Sequence, residues 1–336
     1  MKEEKINSRI SYWDLGAGIM ILWLLYYHAL FPIYGKEILN VIPWFFYFMP
    51  WFFYKSGYFF QLKPIKENSK KDAKKLLGQF AIWSLIGYVS YIVYHYFLYH
   101  DLSVRMAIYS PIRTLLLSGS IPINAALWFL LTLFLVRQAA NILLSKYNAI
   151  VVAVIGMILA CTIHFLNYRM MPFTIYTFAW GLCFFCAGYV LKQYENNRWV
   201  IIISAIILLL TLMLTDISAV YKKEDTIEWY WYVLWYPASI AGCVVFNNVC
   251  RWIDIYGKKI FKTAKFDMPF PILKWIGVNA MTFYVAHAII CRITQEILGI
   301  YYPQYYNQWI GVGIVTIAYM VIILPLCALQ HIIKKK

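Results

Sequence analysis

Apolar residues in this chain come in long blocks separated by short polar stretches. The blocks lie at 13–33, 41–61, 78–99, 123–144, 149–166, 172–191, 199–216, 229–250, 275–297 and 308–332. A helix rises 1.5 Å per residue, so about 20 apolar residues cross the ~30 Å hydrocarbon core of a bilayer. The pattern therefore predicts ten spanning helices. Proline marks the breaks: Pro32 closes the first block, Pro43 and Pro50 interrupt the second, Pro111 and Pro122 bracket a loop, and Pro269 and Pro271 precede the ninth. No internal repeat is visible, and residues 1–336 read as a single transmembrane unit. The leading MKEEKINSR is polar and the block after it has no small-residue cleavage site, so no cleavable signal peptide is expected.

Composition agrees with that pattern. Hydrophobic residues make up 62% of the chain and charged residues 13%, against about a quarter charged in soluble domains. The fold class expected is all-α and polytopic, embedded in a lipid bilayer. Positive charge orients it. With the N-terminus inside, 22 of the 30 lysines and arginines fall on inner segments and six on outer ones, with Lys55 and Arg292 inside spans. This predicts both termini in the cytoplasm. The net charge of +15 is then mostly a cytoplasmic coat facing anionic lipid, and no nucleic-acid partner is expected. Two clusters, Lys63–Lys75 and Arg251–Lys274, could hold a polyanionic cytosolic ligand such as a nucleotide or coenzyme A.

The first block carries two groups foreign to lipid, Asp14 and His28. They stand roughly 21 Å apart along a helix and within about 40° of one face. An ionisable group inside a span is costly and marks function by default. His28 and His287 lie well within apolar blocks, whereas His95, His100 and His164 sit near outer ends and His331 near an inner end. His28 has no second metal ligand at i+3 or i+4 and His287 has only Cys291 at i+4, too few for a site, so no metal is expected. Lys55 can snorkel to the interface or pair with Asp14, and Ser56-Gly57 beside it permits close helix approach. Arg292 and Glu296 read as an i,i+4 pair. The seven cysteines all fall in apolar blocks, and Cys183 and Cys186 read as small buried residues.

Four segments in order resemble the membrane-bound acyltransferase family 3. They are Asp14-x-x-x-Gly18 followed by His28; Met49-Pro50-Trp51-Phe52-Phe53-Tyr54-Lys55-Ser56-Gly57-Tyr58; Leu127-Trp128-Phe129-Leu130; and Gly277-Val278-Asn279 leading through Tyr284 to His287. The resemblance covers essentially the whole chain. It implies ten helices in the cytoplasmic (inner) membrane of a bacterium. It also implies transfer of an acyl group, usually acetyl, from cytosolic acyl-CoA to a hydroxyl of a carbohydrate or related envelope molecule. His28 matches the family's first-helix histidine, its best candidate catalytic residue, with Asp14 on the same helix. The departure is Ala17, where the family usually carries Arg or Lys.

Acyl transfer from a thioester to an alcohol needs a base for the hydroxyl proton and donors for the oxyanion. A neutral imidazole at His28 suits the first role, and Ser56, Asn279, Tyr284 and His287 are candidates for the second. Lys55, Lys74, Lys75 and Trp128 complete the expected binding residues. The thioester is already activated, so acyl-CoA is expected as a substrate, with no tightly bound cofactor. A second reading, a carrier or flippase for a lipid-linked sugar or small anion, would use the same His, Asp and Lys as relay or substrate groups. A third is an inactive relative, which Ala17 keeps open.

Overall fold

The computed structural model describes residues 11–35, 46–166, 172–214, 229–263 and 270–335. Every regular element among them is helical. In chain order these are α1 (Ser11–Tyr34), α2 (Phe48–Tyr58), α3 (Ile65–Asp72), α4 (Gly78–Tyr99), α5 (Ser110–Ser118), α6 (Trp128–Leu143), α7 (Ala149–Phe165), α8 (Phe173–Leu191), α9 (Arg198–Leu214), α10 (Trp229–Thr263), α11 (Phe270–Val278), α12 (Ala280–Tyr301), α13 (Pro303–Tyr306) and α14 (Trp309–Lys335). A π-helical turn, Ala73–Leu77, joins α3 to α4 without a break.

Among the described residues, seven helical stretches are long and apolar enough to cross a bilayer: Ser11–Tyr34, Ile65–Tyr99, Ala125–Leu143, Phe173–Tyr194, Tyr232–Gly257, Ala280–Tyr301 and Trp309–Ile332. Two more apolar helices, Ala149–Phe165 and Arg198–Met213, are shorter. The segment expected at 41–61 is an 11-residue helix over its described part, and residues 41–45 lie outside the described residues, as do MKEEKINSR and positions 264–269 of the second basic cluster. The segment expected as one helix over 275–297 is two. Asn279 leaves helical geometry (φ −98°, ψ 13°) and separates α11 from α12.

The outside of the bundle is apolar. Leu116, Met213 and Val321 are 67%, 72% and 65% exposed, and large aliphatic residues of α4, α7, α9 and α14 share that surface. Such a belt suits lipid rather than water. Lipid tails are as apolar as leucine, so close packing rather than burial holds the helices together. Two backbone crossings provide it. A Cβ on Gly57 would run into the Phe185 carbonyl, and one on Gly188 into the Tyr54 carbonyl, so α2 and α8 touch reciprocally through glycine. This is the close approach that Ser56-Gly57 predicts. Likewise Gly18 faces the Leu273 carbonyl and Gly277 the Asp14 carbonyl, which lays α11 antiparallel along the start of α1. Fully buried aromatic residues, among them Trp13, Trp51, Trp180 and Trp235, fill the space between these crossings.

Candidate active site

The four motif segments form one continuous core. Trp13 of α1 packs on Trp51 of α2 at 5.6 Å between ring centroids. Phe53 of α2 meets Phe129 of α6 at 5.0 Å, and Phe129 meets Tyr284 of α12 at 5.2 Å. At the centre of this arrangement the rings of His28 and His287, 259 positions apart in sequence, lie 5.1 Å apart between centroids.

His287 is completely buried. Its Nδ1 stands 2.6 Å from the Tyr284 carbonyl. A carbonyl only accepts, so Nδ1 carries the hydrogen and the neutral ring has its lone pair on Nε2. That Nε2 is buried without a hydrogen-bond partner. A second buried acceptor in the same state is Asn124 Oδ1, whose amide nitrogen donates to the Val285 carbonyl at 2.9 Å. Two unspent acceptors thus lie around one turn of α12. His28 is half-buried, which leaves it reachable.

Backbone chemistry fixes the depth of His28. Its carbonyl would ordinarily accept the N–H of residue 32, but residue 32 is proline, inside α1, and has no N–H. Gln295 Nε2 donates to that carbonyl at 2.9 Å, and Cys291 Sγ lies 3.6 Å from it. The proline therefore creates the socket that docks α12 onto α1 beside the histidine pair. Sequence reasoning singled out neither Gln295 nor Cys291. The available signal was a proline four residues after a candidate histidine.

The remaining expected residues divide into other layers. Asp14 is buried. Lys55 Nζ donates to the Trp13 carbonyl at 3.1 Å and lies 5.3 Å from the Trp51 ring centroid. That carbonyl is the helical partner of the Ala17 N–H, so the ammonium rests beside Ala17 and one residue from Asp14. Ser56 Oγ accepts from Arg137 Nη1 at 3.0 Å. Lys74 and Lys75 stand exposed on the π turn. Trp128 packs among Phe129, Phe173 and Trp180. Tyr284 donates its hydroxyl to the Ala126 carbonyl at 2.7 Å, and the Asn279 amide turns back to the Trp275 carbonyl at 2.9 Å. Both side chains are thus engaged with backbone. Among the expected residues, His28, His287 and the Tyr284 backbone come together at the histidine pair. Cys183 and Cys186 are buried free thiols.

Fold and site together define a multi-pass membrane protein with a histidine pair where its motif helices converge. A family model for an acyltransferase domain matches residues 10–329, and the chain belongs to this acyltransferase family 3 of membrane proteins. No curated protein and no solved structure matches it.

Proposed function

We propose that the protein is an O-acyltransferase of the bacterial inner membrane, moving an acyl group, in the simplest case acetyl, from cytosolic acyl-CoA to a hydroxyl of a cell-envelope carbohydrate. The observation that carries this reading is the histidine pair. His28 is the general base: it is half-buried and accessible, and takes the proton of the attacking hydroxyl. His287, held by Tyr284, keeps a lone pair beside it, and this nitrogen and Asn124 Oδ1 orient the acceptor by accepting from its neighbouring hydroxyls. The new ester bond forms as the thioester C–S bond breaks, and the proton held on His28 leaves with the thiolate, so coenzyme A departs as the thiol. Both termini lie in the cytoplasm on this reading, which puts the lysine run Lys63–Lys75 on the donor side.

Lys55 supplies the positive charge beside Asp14 and Ala17 that the first helix itself lacks. The test is turnover of labelled acetyl-CoA by purified protein with an envelope glycan acceptor. His28→Ala is expected to lower transfer by about 10²-fold or more, the scale of general-base catalysis, with membrane level unchanged. Wild-type turnover in a well-expressed His28→Ala protein would remove the assignment. Solute counterflow without consumption of the thioester would point to a carrier instead.

A further inference from the structure

At the lysine-run end of the bundle, a second polar cluster has the opposite hydrogen-bond balance from the histidine site. Its centre is Arg137 of α6. Nε donates to Asp72 Oδ2 of α3 at 2.8 Å, Nη1 to Ser56 Oγ of α2 at 3.0 Å, and the guanidinium lies 5.3 Å from the Phe60 ring centroid. Arg137 retains 19% side-chain exposure and Asp72 only 3%. A guanidinium has five N–H donors, and two of these are spent on protein acceptors, which leaves the partly exposed edge open to water or a ligand. Gln138 Nε2 also leans on Asp72 Oδ2, at 3.4 Å. One turn before Asp72 on the same buried side, Asn68 is 2% exposed and its Nδ2 has no partner. Ser69 Oγ donates to Gln138 Oε1 at 2.5 Å, spending the nearby amide oxygen. The cluster therefore has donors to spare around one carboxylate. Lys71, Lys74 and Lys75 stand exposed within three residues of Asp72.

A purely architectural cluster pairs each buried donor with an acceptor, because an unmatched one costs stability. Unspent planar donors beside exposed ammonium groups match the oxygens of a phosphate. We infer that Arg137 and Asn68 form an anion-binding site for a phosphoryl group, with Asp72 and Ser56 fixing the guanidinium so that its free edge meets the ligand. The exposed lysines add attraction from a distance. The ligand's identity as the phosphate-bearing handle of an acyl donor rests on the function proposed above. The anion site itself does not.

The test uses the purified full chain, with binding followed by thermal shift and calorimetry. The probes are coenzyme A and inorganic pyrophosphate. Wild type is expected to bind both. Removing Arg137 alone would strand Asp72, so the informative variant is Arg137→Gln with Asp72→Asn, which keeps a neutral hydrogen-bonded pair. Its unliganded midpoint should stay near that of wild type, and its affinity for coenzyme A should fall by about tenfold or more, as expected for losing a charged contact. Asn68→Asp, which places an internal carboxylate among the spare donors, should weaken binding similarly and decides the matter if the double variant does not fold.

Unchanged affinity in either folded variant, or no binding of either probe by wild type, overturns the site. Pyrophosphate binding without acyl transfer to any acceptor would fail the transferase reading and leave the site standing. Acyl transfer with unaltered coenzyme A affinity in both variants would do the reverse.

Discussion

Pro32 shows how a single residue shapes the site. By withholding an N–H from the His28 carbonyl it leaves an acceptor that α1 cannot satisfy, and Gln295 fills it. The bond joins two helices at the level where the two imidazoles meet. Gln295→Leu leaves the carbonyl only the weak Cys291 thiol donor and should cost about 1 kcal/mol, the net scale of one hydrogen bond, and should lower turnover by loosening His28 against His287. Adding Pro32→Ala restores an N–H at residue 32, so the double variant should recover the stability but not the docking of α12. Denaturation of the two variants in the same detergent, with turnover measured alongside, checks this. Equal stability of Gln295→Leu and wild type would show the carbonyl bond to be dispensable. His28 was legible in the sequence because an imidazole in an apolar block is conspicuous. Gln295 was not, since a glutamine near a helix end is ordinary until its partner is known.

Helices here are held by backbone proximity. Gly277 lets α11 lie against the Asp14 carbonyl, and Gly18 admits the Leu273 carbonyl in return. A methyl group at either position would have to push backbone apart, not merely a side chain. Gly277→Ala should therefore destabilise the protein by about 1–3 kcal/mol, the usual penalty of overpacking. Because α12 follows directly from α11, the same change should also displace His287 from His28 and reduce turnover. A thermal midpoint and turnover matching wild type would mean that α11 tolerates the added methyl without moving. The break at Asn279 has the same origin. Hydropathy runs unbroken through 275–297 and predicts one helix. The reversal arises because α11 packs antiparallel to α1 while α12 runs alongside it to His28, a three-dimensional requirement with no trace in periodicity.

On the scale of the whole molecule, the two polar clusters occupy different regions of an apolar bundle and differ in chemistry. Around the histidines, spare acceptors suit a hydroxyl. Around Arg137, spare donors suit a phosphate. Such a division fits an enzyme that receives its two substrates from separate compartments, provided that the lysine-run end faces the cytoplasm. Reporter fusions after Lys75 and Lys336 should read cytoplasmic, and fusions near Arg113 and Lys223 should read exported. The inverse pattern would place the anion site on the wrong side for a cytosolic donor.

The amino-acid order by itself determined that this is a helical membrane protein, because only long apolar runs satisfy both lipid and backbone. It also picked out the motif segments that the structure gathers into one core, since charged and imidazole groups in apolar runs stand out from their neighbours. What it left undecided depends on pairing across distance. Lys55 was open between snorkelling and pairing with Asp14, and the structure places its ammonium on the Trp13 carbonyl. Arg137 counted only as one inner positive charge, until α3 and α2 brought Asp72 and Ser56 to it. His287 was one buried histidine among several possible oxyanion donors, and only the packing of α12 on α1 set it 5.1 Å from His28. Helix formation is local and is encoded within each segment. The meeting of these groups is not, because it depends on how close the glycine crossings allow the backbones to come and on where each segment reverses.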